Sequence, residues 1–380
     1  MAISEYKDEL DRKNMEEAQK IISYLPDYVT DYFISRKSNT TAKTRLSYAF
    51  DLRLFFIYYI RNIKPELFDE ESHEENLKDP EKMKFPFNYN AGLKRVTISH
   101  LSELKARDIE FFMEYLQIDK ERANHNSGVA RKYAALSSFF DYLYRNDKIP
   151  ENPCAKVLPV RPTKDNRIIR LSPDEVSRFL NAIESVGEDL TEVRSEYRDL
   201  FTEHQRTYLQ KTVDRDLAIA TVFLGTGIRL SELVGLNIAD VNLEKCQMSV
   251  LGKGDKYRMV ALGDETIDTL KKYLDVRLQM TGVSSDYENA LFLSAQKRRM
   301  TPQAVENLIV KYAKAIGLQD RITPHKLRKT FGTSLYQETG DIYLVANSLG
   351  HNNVNTTKNH YVAQSEQNLL DARNKVKLRD

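Results

Sequence analysis

The sequence predicts a two-domain, mainly α-helical protein. An all-α N-terminal domain covers residues 1–158, a linker 159–168, and a mainly α C-terminal domain with a small antiparallel β-sheet 169–380. Three observations predict it. A chain of 380 residues suits two domains at roughly 100–200 residues each. Apolar residues recur at helical spacing through most of the first 160 positions. Two short β-rich runs, Met248 to Leu251 and Met259 to Leu262, flank Gly-Lys-Gly-Asp and read as one hairpin.

Ser4 to Tyr24 reads as a polar helix, with Ser4 as N-cap and Pro26 just past its end. Asn39 to Asn62 opens on Ser/Thr/Asn cap chemistry and carries a stripe of Leu46, Phe50, Leu54, Ile57 and Tyr58. Residues 63–98 break the pattern with three prolines, and Glu66 to Glu81, rich in acids, reads as an exposed loop or insertion. Asp108 to Leu116 and Val129 to Tyr144 are amphipathic helices. Four prolines between Ile149 and Arg167 favour extended backbone and mark the linker. Ser172 to Ser185 starts with Ser-Pro-Asp-Glu, a helix start, and Arg215 to Leu224 is an apolar helix. Helices follow the hairpin at 265–280, 302–316, 324–338, 341–349 and 364–376.

A net charge of only +2 excludes a protein that coats a polyanion by bulk charge, and 41% hydrophobic residues exclude a wholly disordered chain. Any basic surface must come from placement, as in Arg36 to Arg53 and Arg321 to Lys329, where basic residues outnumber acids. Such runs are usually solvated faces. Two cysteines, Cys154 and Cys246, give no disulfide framework and fit a reducing cytosol. The N-terminus has no apolar core of a signal peptide, and Leu54 to Ile60, the most apolar stretch, is too short to span a bilayer. A cytoplasmic protein without a membrane partner is expected.

Four local features carry chemistry. In GTGIRLSEL, glycines precede Arg229 where one helix stops and another begins. Lys253 lies between two glycines at the hairpin tip, where a lysine is most often an exposed turn residue. In TPHKLRKTFGT, His325 and Arg328 share a helix face three residues apart. In SLGHNNVNTTKNHY, His351 follows a helix-ending glycine and Tyr361 comes ten residues later. Each alone is weak. Together, two arginines, a lysine, two histidines and a late tyrosine suit a phosphoryl transition state, with no carboxylate cluster for a metal ion. Arginine forks match phosphate oxygens, lysine can protonate a leaving alkoxide, and histidine can bind phosphate or accept a proton. Tyrosine, with a pKa of about 10, needs nearby cations to act as nucleophile.

The ordered series Arg229, Lys253, His325-x-x-Arg328, Leu-Gly-His351 and Tyr361 resembles the tyrosine recombinase (integrase) family. The likeness extends to TAKTRLSYAFDLRLFFIYYI and RKYAALSSFFDYLYRNDKIPENPC, which look like the first and last helices of that family's SAM-like core-binding domain. Within the family the chain is most similar to the Xer type, in particular the single-protein XerS branch. Two departures stand out: Tyr361 follows His351 by ten residues where the family usually has nine, and Val362-Ala363 follow the tyrosine. Tyr336 and Tyr343 are the alternatives by distance, and both read as helix-packing aromatics.

The resemblance implies a site-specific DNA recombinase. Tyr361 would attack a phosphodiester to give a 3′-phosphotyrosyl bond. Arg229 and Arg328 would hold the non-bridging oxygens, Lys253 would protonate the 5′-oxygen, His325 would serve as acid or base, and His351 would bind the phosphate. Glu232 would orient Arg229. No metal or cofactor is implied. The implied partner is double-stranded DNA with inverted half-sites, bound by a tetramer on two sites through the C-terminal helix. Candidate phosphate contacts are Lys43, Arg45, Arg131 and Lys132. Chromosome dimer resolution is the expected role, with mobile-element integration as the alternative. A non-catalytic DNA-binding protein would lack a member of the set, and a type IB topoisomerase-like enzyme would lack the Xer-like first domain.

Overall fold

The computed structural model describes residues 2–78, 90–118, 126–158, 170–189, 193–252, 256–319, 322–351 and 354. It divides into two compact units, Lys7–Lys164 and Asp165–Asp380, the latter together with Met1–Tyr6.

The N-terminal unit is helical: α1 (Ala2–Ile22), α2 (Asp27–Ser35), α3 (Ala42–Asn62), α4 (Glu70–Lys78), α5 (Ile98–Ser102), α6 (Ala106–Ile118) and α7 (Asn126–Arg145). Helix α3 is central and packs against α7. It starts where the Thr41 side chain accepts from the Thr44 N–H. The core is aromatic: the Phe55 ring lies 5.2 Å from Phe112 and 5.8 Å from Phe140, and Phe56 meets Phe139 at 6.2 Å. The expected α3 stripe is only part of the core face: Ile57 and Tyr58 are buried and Leu46 and Leu54 pack against the core. Phe50 is 37% exposed, while Ala49, Leu52, Phe55, Phe56 and Tyr59 are fully buried. A helix enclosed on several sides buries more than one stripe, so its strongest periodicity does not pick the core face.

Three other expectations change. Helix α1 begins at Ala2, so Ser4 lies within its first turn. Part of the acidic 63–98 segment is helix, because glutamate is a good helix former and Glu70 and Glu71 complement the positive N-terminal end of α4. Helix α2, directly after Pro26, has no sequence counterpart above; it is one amphipathic stretch of nine residues.

The C-terminal unit carries α8 (Pro173–Glu184), α9 (Ser195–Arg198), α10 (Glu203–Gln210), α11 (Val213–Thr226), α12 (Leu230–Gly235), α13 (Asp264–Leu278), α14 (Pro302–Ala315), α15 (Pro324–Thr339) and α16 (Ile342–Leu349). Between α12 and α13 lies an antiparallel sheet, β1 (Val241–Asn242), β2 (Gln247–Leu251) and β3 (Tyr257–Ala261), in that spatial order. The mainly α architecture with one small antiparallel sheet is the expected one. Helix α11 is the hub, packed against α8, α13 and α15. From Asp216 to Phe223 every residue is buried, as an apolar helix without a polar face requires. Helix α8 opens with a reciprocal cap, Ser172 to the Glu175 N–H and Glu175 to the Ser172 N–H. Among the described residues no helix is long and apolar enough to cross a membrane.

The two thiols differ sharply. Cys154 is buried, and burial pushes its thiol up to about 12. Cys246 is exposed in a tight turn with φ 51°. Iodoacetamide should therefore label Cys246 in the native protein and reach Cys154 only after unfolding, as peptide masses would show. Native labelling of Cys154 at the rate of Cys246 would contradict the burial.

Candidate active site

The site begins where α11 ends. Gly227 caps that helix at φ 62°, and a Cβ there would lie 2.3 Å from Phe331 and 2.8 Å from Leu349. Only glycine fits this left-handed, crowded position. The turn delivers Arg229 as the residue capping α12.

Arg229 and Glu232 clasp each other across that first turn. The Arg229 backbone N–H donates to Glu232 Oε2 at 2.8 Å, and Arg229 Nη1 donates to Oε1 at 2.8 Å. Arg229 Nη2 donates to the Gly350 carbonyl at 2.9 Å. A second guanidinium, from Arg258 on β3, grips Glu232 bidentately at 2.8 and 2.9 Å. Burial pushes the Glu232 carboxyl up, but the bonds from Arg258 and Arg229 outweigh it and hold the group below its ordinary value of 4.5.

A carboxylate with a depressed folded-state pKa contributes stability above its unfolded value and loses it as pH falls through the folded value. Glu232→Gln should therefore be less stable than the native chain at pH 7, with the difference shrinking below pH 4.5. Urea unfolding at several pH values checks this, and a difference that stays constant down to pH 3 would refute it.

Helix α15 supplies the next pair. The Thr323 side chain accepts from the Lys326 N–H and Pro324 takes the first helical position, which suits its fixed φ. One turn then presents His325, exposed, and Arg328, buried. Arg328 Nη1 donates to the Gly227 carbonyl. Its Nη2 donates to the Leu349 carbonyl at 2.6 Å and meets His351 Nε2 at 3.1 Å. Guanidinium has no acceptor, so His351 Nε2 must accept, and the neutral ring carries its proton on Nδ1. Helix α16 stops at Gly350, φ 62°, and the His351 N–H closes the cap on the Ala346 carbonyl at 2.9 Å.

Arg229, His325, Arg328 and His351, expected from the sequence, thus line one open cleft of about 460 Å³. Lys329 and Glu306 line it too. Lys253 and Tyr361 lie outside the described residues, as do the 159–168 linker and the 364–376 segment. Tyr336 packs in a small cluster with Val345 and Leu349, whereas Tyr343, expected to pack, is 71% exposed. Neither lines the cleft.

Arg258 was missed by sequence reasoning, although a signal existed. In the strand Tyr-Arg-Met-Val-Ala, Tyr257, Met259 and Ala261 face out, while Arg258 and Val260 face in. An arginine at an inward strand position calls for a buried acid.

The candidate DNA contacts are placed differently from one another. Lys43 is exposed at the start of α3. Arg45 Nη1 donates to the Lys37 and Thr40 carbonyls at 3.1 and 2.7 Å, bracing the preceding turn. Arg131 forms a two-pronged ion pair with buried Asp51, and Lys132, half-buried, also acts on that carboxylate.

Known proteins resemble this chain in sequence and in fold. The family model described as the phage integrase family matches residues 169–368. A tyrosine recombinase XerC of Thermodesulfovibrio yellowstonii is 32% identical over 278 residues, covering 68% of this chain and 84% of its own. A tyrosine recombinase XerS of Lactococcus lactis subsp. cremoris is 32% identical over 305 residues, covering 73% and 82%. In fold, the chain is similar to a XerH site-specific recombinase, solved on its palindromic difH substrate as a post-cleavage complex. The TM-score is 0.57 at 20% identity, over 87% of this chain and 80% of that one.

Proposed function

The chain belongs to the phage integrase family and is a tyrosine-type site-specific recombinase, and from that premise we propose how it cuts and rejoins DNA. The supporting observation is that Arg229, His325, Arg328 and His351, four residues spread over more than 120 positions, converge on one open cleft.

A scissile phosphate enters that cleft. Arg229 and Arg328 bind its non-bridging oxygens, and their attraction grows as the phosphorane gathers charge. His351 donates from Nδ1 to a phosphate oxygen while Nε2 stays on Arg328. Tyr361 attacks phosphorus, passing its proton to His325. The bond to the 5′-oxygen breaks, and Lys253 protonates that oxygen. The product is a 3′-phosphotyrosyl link and a 5′-hydroxyl. The link conserves the phosphodiester's energy, so a 5′-hydroxyl from the partner duplex can attack it and reseal a recombinant strand through a Holliday junction.

Double-stranded DNA with inverted half-sites is the substrate. Lys43 and Arg131 are the exposed members of the four candidate phosphate contacts, Arg131 also pairing with Asp51, while Arg45 and Lys132 are half-buried. Four copies assemble on two sites, joined through the 364–376 segment. The biological role proposed is chromosome dimer resolution at a dif-like site, supported by the likeness to XerC and XerS.

Covalent capture tests this. Denaturing purification of the protein from cells, in EDTA, followed by sequencing of the attached DNA should return one chromosomal site with two inverted half-sites. Peptide mapping should place the phosphate on Tyr361. Recovery of the ends of an inserted element would favour mobile-element integration instead. Failure of the purified protein to form an adduct with the recovered site when the two are mixed in EDTA would refute the metal-free chemistry.

A further inference from the structure

We propose that Arg258 is a positioning residue for the cleavage step: it holds the hairpin that bears Lys253 against the two turns that carry Arg229 and His351. The proposal rests on the reading of Lys253 as the acid that protonates the 5′-oxygen.

The strand register puts Arg258 next to the hairpin end. Val250 pairs with Arg258, Leu251 pairs with Tyr257, and the Gly252 N–H donates to the Lys256 carbonyl at 2.9 Å. Lys253 is one residue past that last bond in the chain. A shift of Arg258 along or across the sheet therefore moves the paired strand ends that Lys253 directly follows in the chain.

Three contacts fix the Arg258 side chain, which is 17% exposed. Its fork takes both oxygens of Glu232, the same carboxylate that receives the backbone and side chain of Arg229. Its guanidinium lies flat on Gly350. A Cβ on that glycine would stand 2.9 Å from Nε, 3.0 Å from Cζ and 3.1 Å from Nη1. Gly350 immediately precedes His351, and its carbonyl receives Arg229. One side chain thus touches the hairpin strand, the Arg229 turn and the His351 turn.

The arrangement is not what packing alone would select. Arg258 Nε is buried without an acceptor among the described residues. An apolar side chain would avoid that cost but would leave the buried Glu232 carboxylate without two of its donors. Lysine could carry the charge, but a point charge cannot take both carboxylate oxygens and also lie flat on a glycine.

The test uses the full chain and the DNA site recovered by covalent capture, as a nicked duplex. One form has the ordinary 5′-oxygen at the cleaved bond and the other a 5′-sulfur, which leaves as thiolate and needs no proton. Lys253→Ala comes first. It should cleave the oxygen duplex about 10²-fold slower than the native chain and the sulfur duplex at a near-native rate. If sulfur does not rescue it, the reading of Lys253 falls, and this inference with it. Given that rescue, Arg258→Met should show the same split, a loss on oxygen largely restored by sulfur. Equal losses on both duplexes would mean that Arg258 serves only Arg229 or the fold, and would overturn the inference alone. If Arg258→Met does not fold, Arg258→Lys, which keeps a charge beside Glu232, decides by the same comparison.

Discussion

A Tyr361→Phe chain should form no covalent adduct with a nicked duplex that traps the native protein quantitatively, while its affinity for uncut duplex stays within about twofold. The substitution removes one hydroxyl and no charge. Duplex affinity depends on phosphate contacts from lysine, arginine and polar groups, which the change leaves in place. Among the described residues that line the cleft there is no serine, cysteine or tyrosine, and the one hydroxyl, that of Thr323, is engaged as the cap of α15. An adduct from the Phe chain at the native rate would name another tyrosine. Tyr343 would then be examined first, because it is 71% exposed while Tyr336 is packed. The spacing of ten residues from His351, one more than the family's usual nine, makes this the most direct check of register.

Arg328→Ala should be the most damaging of the arginine substitutions, in rate and in stability together. As a donor aimed at developing charge, Arg328 should be worth about 10²–10³ in the cleavage rate. Arg229 should be worth a similar factor, so rate alone does not separate them. Stability does. Arg328 is 6% exposed and its fork ties the Gly227 and Leu349 carbonyls from two distant segments. Without it those acceptors lose their donor, at about 1–3 kcal/mol for each that water cannot reach. The Arg229 side chain is 36% exposed, and solvent can replace much of what it gives. Arg328→Ala should therefore shift the urea midpoint down clearly and Arg229→Ala little, while single-turnover cleavage drops for both. Equal midpoints for the two variants would refute the distinction.

The parts legible in the sequence were those whose signal is local. The hairpin announced itself by β-rich runs around glycines, and α8 and α15 by cap residues at their first turns. The order of Arg229, His325, Arg328 and His351 was legible through resemblance, and their convergence followed. What the sequence hid was mostly long-range. Arg258 reaches Glu232 across 26 positions, and Arg229 reaches Gly350 across 121. No periodicity marks such a pair. On α3 the local signal was incomplete, because enclosure on several sides made Ala49 and Leu52 core beside Ile57 and Tyr58, while Phe50 stayed 37% exposed. The ion pair of Arg131 with Asp51 joins α7 to α3 across 80 positions, a partner that no local pattern shows, while the Arg131 side chain stays 47% exposed.

The two cleft arginines anchor themselves on peptide carbonyls, those of Gly227, Leu349 and Gly350. A carbonyl is present whatever side chain the residue bears. Position 349 can therefore drift among apolar residues of similar size without touching the grip on Arg328, and selection at 227 and 350 acts on backbone shape and on the space a side chain would need. Descendants of this chain are free to remodel other surfaces while inheriting the placement of the two cleft arginines unchanged, which is how one scaffold can diversify without rebuilding its cleft.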